Sequence, residues 1–310
     1  MRIHFLILIL TPYLFFSQVT LTEENYLKNG EIEVPGTLSY PRTEEKIPLA
    51  IYVHGSGNID RNGNQAGTYA QANYIKTLAD SLNAYGIAFY RYDKRTSTRA
   101  NLKKLKGITL NDFVKDVKIA IEYYQEDSRF SGIHLIGHSQ GSLVAMLAVS
   151  DAVKSYTSIA GPSTSIDETI TMQLSKQNND MGKVATTYFE ELKKTDTILE
   201  VNPFLISIFS PQNQKFIANW MSFNPSVEIQ KLTIPILILQ GDMDLQVEEI
   251  DAQNLKKVKP NAQLRIIPKM NHILKEVNSL EENNKSYADE TYPLSSKLTE
   301  YLSEFILSNK

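Results

Sequence analysis

Residues His134–Met146 read HLIGHSQGSLVAM, and this stretch decides the fold. A short apolar run ending at Gly137 gives way, within a few residues, to a second apolar run at helical spacing. Ser139 stands at the junction between two glycines, Gly137 and Gly141, in the pattern G-H-S-Q-G. Glycine inside a strand or helix costs about 0.5–1 kcal/mol relative to alanine. Two of them around one serine therefore mark a place where backbone segments approach closely. A strand turning sharply into a helix has that need. It strains its central residue and lifts that side chain out of the sheet, beside the positive end of the helix. The spacing predicts such a turn, with a strand over Gly132–Gly137 and a helix over Ser142–Ser150.

Outward from this turn, short apolar runs rich in β-branched residues alternate with helical periodicity. Ile47–Gly55, Gly86–Asp93, Ser155–Gly161, Pro235–Gly241 and Ala262–Pro268 read as further strands. Ala70–Ala84, Leu110–Tyr124 and Leu298–Leu307 read as helices. Strands of nearly continuous apolar character are covered on both faces, and their alternation with helices predicts a mostly parallel sheet. One segment breaks the rhythm. Between Pro162 and Lys231 the chain is polar and helical, and it ends in the aromatic-rich FIANWMSFNP, which carries the only tryptophan, Trp220. Residues 162–230 are expected to form a helical cap or lid over a core made of 18–161 and 231–310.

Bulk properties narrow the classes. The chain has 310 residues, 42% of them hydrophobic, and a net charge of −3. No block of basic residues points to nucleic acid as a partner. With no cysteine, disulfides, thiolate nucleophiles and cysteine metal sites are excluded. The N-terminus MRIHFLILILTPYLFFSQ has a positive start, a short apolar run broken by Pro12, and the small residue Ser17. That run is too short to span a bilayer and has the form of a secretory leader. Residues 1–17 are expected to direct export to the periplasm or medium. Cleavage is expected near Ser17–Gln18, with no stable membrane insertion afterwards.

A serine hydroxyl is a poor nucleophile at neutral pH and needs a base in hydrogen-bond reach. Of the five histidines, His4 lies in the leader, His134 is inside a strand, His138 adjoins the serine and His54 ends an earlier strand. That leaves His272, in the loop KMNHI after the last strand. A base needs an acid to fix its tautomer, and PILILQGDMDLQV offers Asp244 first and Asp242 as fallback; Asp251 lies further on, in a helical stretch. An oxyanion needs donors: the backbone N–H of Gln140, and one from the loop HGSGNIDRNG (His54–Gly63), Ser56 first and Gly57 next. His138, Gly57 and the aromatic residues Phe216, Trp220 and Phe223 are candidates for a substrate pocket, although the aromatic spacing also suits a helix core. The chain has no GxGxxG and no GK[ST], so no nucleotide cofactor is expected, and no metal.

Taken in order, HGSGNIDRNG, RYDKRTS, LIGHSQGS, AGPSTSIDETI, PILILQGDMDLQV and MNH resemble the serine α/β-hydrolases. The chain is most similar to the bacterial dienelactone-hydrolase-like or acyl-thioesterase-like esterases, which share an HGSG-x-x-DR-x-G loop. The resemblance runs from about Gly36 to His272. It implies an eight-stranded, mostly parallel sheet, a Ser139–His272–Asp244 triad, and hydrolysis of small carboxylic esters without a cofactor. Thioester hydrolysis, acyl transfer and peptide hydrolysis use the same elbow and stay open at this point. Thr96 stands where relatives carry glycine, which points to a different contour for the loop Thr96–Lys106. Asp60 and Arg61 match the family loop and read as an ion pair bracing it, with Asp93 or Arg91 as further members.

Overall fold

In the computed structural model, which describes residues 19–310, a hairpin comes first. Strands β1 (Thr20–Asn29) and β2 (Ile32–Pro41) pair antiparallel around Gly30, which takes the positive φ that this tight turn requires. The sequence reading assigns no strand here. β1 is an edge strand whose side chains alternate between exposed and half-buried, with Leu27 alone fully buried, so its apolar signal is weak. The signal it does carry is Asn29–Gly30, a hairpin dipeptide. The expected leader lies outside the described residues.

The chain then alternates as its periodicity predicts. β3 (Ile47–Val53), α1 (Tyr74–Ala84), β4 (Ala88–Tyr92), α2 (Leu110–Tyr124), β5 (Phe130–His138), α3 (Gln140–Ala148) and β6 (Val153–Ile159) follow in order. Between β6 and the next strand stand five helices: α4 (Ile166–Gln177), α5 (Asn179–Thr195), α6 (Ile206–Phe209), α7 (Pro211–Met221) and α8 (Pro225–Lys231). β7 (Ile236–Gly241), α9 (Glu249–Val258), β8 (Gln263–Ile267), α10 (Leu280–Ser286) and α11 (Ser296–Ser308) complete the fold. The strands form one eight-stranded sheet in the order β1-β2-β4-β3-β5-β6-β7-β8, with β2 the one strand running against the rest.

Alternate residues of each central strand serve opposite faces. Leu49, Ile51 and Val53 of β3 join a core with Phe113, Val117 and Leu143 of α2 and α3. Ala50 and Tyr52 join a second core with Leu78 and Leu82 of α1 and with Leu302 and Phe305 of α11. Helices therefore cover both faces, which is why these strands read as continuous apolar runs. The helices between β6 and β7 have a small core of their own, built on Phe189, Leu192, Leu205, Phe209 and Ile217.

α2 begins at a capping box, in which Thr109 and Asp112 satisfy each other's backbone. Its buried face carries Asp116, which takes a two-pronged hydrogen bond from Arg95, at 2.8 and 2.6 Å. Asn29 at the hairpin turn donates to the same carboxylate at 2.9 Å. Three segments remote in sequence thus meet at one buried carboxylate. Removing that carboxylate leaves the buried Arg95 guanidinium with only the longer 3.5 Å pairing to Asp112 and the Asp112 carbonyl. Asp116→Ala is expected to lower unfolding free energy by about 3–5 kcal/mol, read by urea denaturation at neutral pH.

Candidate active site

β5 ends and α3 begins at Ser139, whose φ of 54° and ψ of −123° lie outside the comfortable range for a side-chain-bearing residue. The reason for the two glycines is steric. A Cβ on Gly141 would meet the Val53 and His54 carbonyl oxygens at 2.1 and 2.4 Å, and one on Gly137 would meet the Gly141 carbonyl oxygen at 2.5 Å. From Ile133 to Met146 every residue is buried except Ser139. The turn therefore presents one hydroxyl to the surface, and the Ser139 N–H is tied to the Ile159 carbonyl at 2.9 Å.

His272 lies in the loop after β8, and its Nδ1 is 2.8 Å from Asp244 Oδ2. Both side chains are buried. Asp244 follows β7, and its other oxygen accepts the backbone N–H groups of Gln246 and Val247 at 2.8 and 3.0 Å. The Gln240 side chain adds an N–H at 3.2 Å to Oδ2. Burial pushes the Asp244 carboxyl up, but the His272 imidazole and these N–H donors outweigh it and hold it below the ordinary carboxylate range. Asp242 goes elsewhere: its Oδ1 accepts the Lys269 N–H at 2.6 Å, an exposed loop contact. Asp251, on α9, accepts from the Ser163 N–H and hydroxyl.

His138 joins this pair to the elbow. Its ring centroid lies 4.9 Å from that of His272, and its Nε2 is 2.8 Å from the His272 carbonyl oxygen. A carbonyl only accepts, so Nε2 carries the proton. Burial, then the neighbouring His272, lowers the His138 pKa to about 3, which keeps the ring neutral. The sequence reading offers His138 to the substrate pocket. The structure buries it behind the elbow at 2% exposure, as a strut for the His272 loop. His134 and His54 are also buried, and His134 is 2.8 Å from the Ser155 hydroxyl.

Facing the elbow is the loop after β3, with Gly55 buried and Ser56, Gly57 and Asn58 exposed. The segment after β4 braces it. Arg61 pairs with Asp93 at 2.8 Å and with Glu24, and Arg91 reaches the Asn62 side-chain oxygen at 2.5 Å. Asp60 and Arg61 are not partners of each other; Asp60 Oδ1 instead accepts the N–H groups of Asn62 and Asn64. Lys94 is buried at 4% exposure. It donates to the Gly55 carbonyl at 2.7 Å and to Gln140 Oε1 at 3.0 Å. Lys94 and Gln240 escape the sequence reading because their partners lie across the sheet or inside the fold. The one pointer to Lys94 is its position within RYDKR.

Phe216 and Trp220, on α7, pack against the main core, with Phe216 edge-on to Phe113 at 5.6 Å. Phe223 joins the same core. Among the described residues no cluster of histidine and carboxylate side chains has the geometry of a metal site.

Comparison with known proteins gives a consistent frame. A family model described as serine aminopeptidase, S33, matches residues 66–277, a span that contains Ser139, Asp244 and His272. The chain is 26% identical over 284 residues to esterase EstD of Thermotoga maritima, covering 84% of this chain. It spans 65% of that relative's length, just under two thirds. Among solved structures it is similar to Est1E of Butyrivibrio proteoclasticus, with a TM-score of 0.58 and 21% identity over 92% of this chain and 98% of that one. It is also similar to an acylaminoacyl peptidase of Pyrococcus horikoshii, with a TM-score of 0.57 and 14% identity over 96% of this chain and 43% of that one. These likenesses establish the α/β-hydrolase fold.

Burial lowers the Lys94 pKa from 10.5 to about 7, and nearby Asp116 offsets only part of that. Between those values the unfolded chain holds a proton at this side chain that the folded chain has released. Stability contributed by this residue is therefore lowest at pH 7 and below, and it rises as the pH climbs toward 10. Urea unfolding at pH 7 and pH 9 is expected to show wild-type stability rising relative to Lys94→Met over this interval.

Proposed function

Because the chain belongs to the serine aminopeptidase, S33, family of α/β-hydrolases, we propose that it hydrolyses small carboxylic esters of short to medium acyl length through an acyl-enzyme on Ser139. The observation that carries this reading is the buried His272–Asp244 hydrogen bond at 2.8 Å, set against the strained elbow that exposes Ser139 alone.

In this mechanism the Asp244 carboxylate accepts a hydrogen bond from His272 Nδ1–H, which fixes the tautomer whose Nε2 lone pair is free to act as base. Ser139 Oγ attacks the substrate carbonyl as His272 takes its proton. The oxyanion is received by the backbone N–H groups of Gln140 and Ser56. The imidazolium, steadied by Asp244, then protonates the leaving alcohol. Water repeats the cycle on the acyl-enzyme and frees the acid. The helices α4–α8 serve as a cap over the site. The HGSG-x-x-DR-x-G loop favours the dienelactone-hydrolase-like or acyl-thioesterase-like branch.

Two names favour ester chemistry: esterase EstD, and Est1E, which has been solved with ferulic acid bound. The family's own description favours a second reading, amide hydrolysis at a peptide N-terminus. A panel of nitrophenyl esters, thioesters and aminoacyl anilides separates the two. Esters are expected to turn over fastest, and anilides outrunning esters would reverse the assignment. A fluorophosphonate probe is expected to label Ser139, and Ser139→Ala to cut kcat by about 10⁴-fold or more while remaining folded.

The leader reading completes the proposal: residues 1–17 direct export and are removed. N-terminal sequencing of protein recovered outside the cytoplasm is expected to begin at or near Gln18, and a chain still starting at Met1 would contradict it.

A further inference from the structure

Lys94 takes no part in the mechanism above, yet its Nζ lies at the junction of the two loops that serve the oxyanion. One proton goes to the Gly55 carbonyl at 2.7 Å, and another to Gln140 Oε1 at 3.0 Å. The stem runs under Phe113, with the nitrogen 4.6 Å from the ring centroid. Its backbone is fixed as well: the N–H donates to the Ile59 carbonyl, and the carbonyl accepts from Ser97 and Thr98. Beside it lies a cavity of about 10 Å³ lined by His54, Tyr92, Asp116 and Val144, room for about one water.

The partner peptide gives this placement its meaning. The Gly55 carbonyl and the Ser56 N–H belong to one peptide unit. In a trans peptide they point in opposite directions, and no cis bond occurs among the described residues. A donor that grips the carbonyl from the buried side therefore aims the N–H toward the exposed side, where Ser56 lies. It also polarises the peptide and strengthens that N–H as a donor. The second grip is on the side chain of Gln140, whose own N–H is the other donor.

We propose that Lys94 is the positioning residue of the oxyanion hole, setting the orientation of the Gly55–Ser56 peptide and its separation from the Gln140 N–H. This rests on the reading of Ser139 as nucleophile. A positioning role predicts loss of transition-state stabilisation with ground-state binding kept; a merely structural role predicts loss of stability alone.

Lys94→Met keeps the stem and removes both donors. With a nitrophenyl ester it is expected to lower kcat by about 10²–10³, the effect of losing one oxyanion donor, with KM changed less than about threefold. The inhibition constant of phenylboronic acid, whose tetrahedral adduct places an oxygen in the same hole, should rise in parallel. Gln140→Met cuts only the tie to the elbow and leaves Lys94 on Gly55. It is expected to lower kcat about tenfold, the equivalent of one hydrogen bond, and it decides the matter if Lys94→Met does not fold.

A folded Lys94→Met with wild-type kcat, or with lowered kcat and unchanged boronate binding, overturns the inference. So does Gln140→Met at wild-type kcat when Lys94→Met is unfolded. Wild-type protein that a fluorophosphonate fails to label at Ser139 overturns the nucleophile reading instead, so the two failures are distinct.

Discussion

The close approach of Gly141 to the Val53 and His54 carbonyls is the contact on which the site is built. A methyl group at position 141 would lie 2.1 Å from one of those oxygens, well inside van der Waals contact. Because it is absent, the first turn of α3 settles directly onto the end of β3. Two loops then face each other across a few ångströms, the elbow on β5 and the glycine-bearing loop on β3. Their strands are neighbours in the sheet. Strand order alone would bring these loops near one another; the missing side chain brings them into working distance. Lys94, leaving the end of β4 on the other side of β3, is then long enough to hold both.

Burial also sorts the histidines. Four lie among the described residues, and all four are buried. His138 spends Nε2 on the His272 carbonyl, and His134 has Nδ1 on Ser155. Burial, with Lys94 and His138 close by, holds His54 well below its ordinary pKa. Each is thereby fixed as a neutral structural group. His272 differs because a carboxylate occupies Nδ1, which leaves the opposite nitrogen with a lone pair. Its loop is anchored from behind by His138 and by Asn271, whose side chain bonds Ser286 at 2.8 Å. His272 is therefore set apart by what its neighbours do, more than by any property of its own.

Much of this was legible in the sequence, for local reasons. A sharp strand-to-helix turn needs its small residues within four positions, so Ser139 was visible from HLIGHSQGSLVAM. His272 stands out as the candidate base by elimination, since the other histidines sit in the leader, in strands or beside the serine. Asp244 and Asp242 were harder to separate, because two residues apart on a loop they differ only in direction. The structure separates them: Asp244 turns inward onto His272, and Asp242 turns outward onto the Lys269 N–H. The β1–β2 hairpin was missed because an edge strand buries little. Lys94 was missed because its partners lie 39 and 46 positions away. A lysine in a charged run reads as solvated until the fold shows it covered. Phe216 and Trp220 have helical spacing, which shows that they share a face but not what that face meets; it meets Phe113 and the core.

Helix α4 meets the loop after β7 through two residues of that loop, Gln246 and Glu248. Gln246 donates its N–H to Asp244 at 2.8 Å, and its carbonyl accepts from Gln173 of α4 at 2.9 Å. Lys176, also on α4, pairs with Glu248 two residues further along the loop. Both contacts from α4 are exposed, and exposed pairs of this kind contribute at most about 1 kcal/mol each. By contrast, Gln240 and the Val247 N–H hold Asp244 from the buried side. Displacing α4 from this loop would break the weak outer contacts first and leave the inner ones in place. The Asp244–His272 hydrogen bond is thus held from the sheet side, by contacts that do not depend on α4.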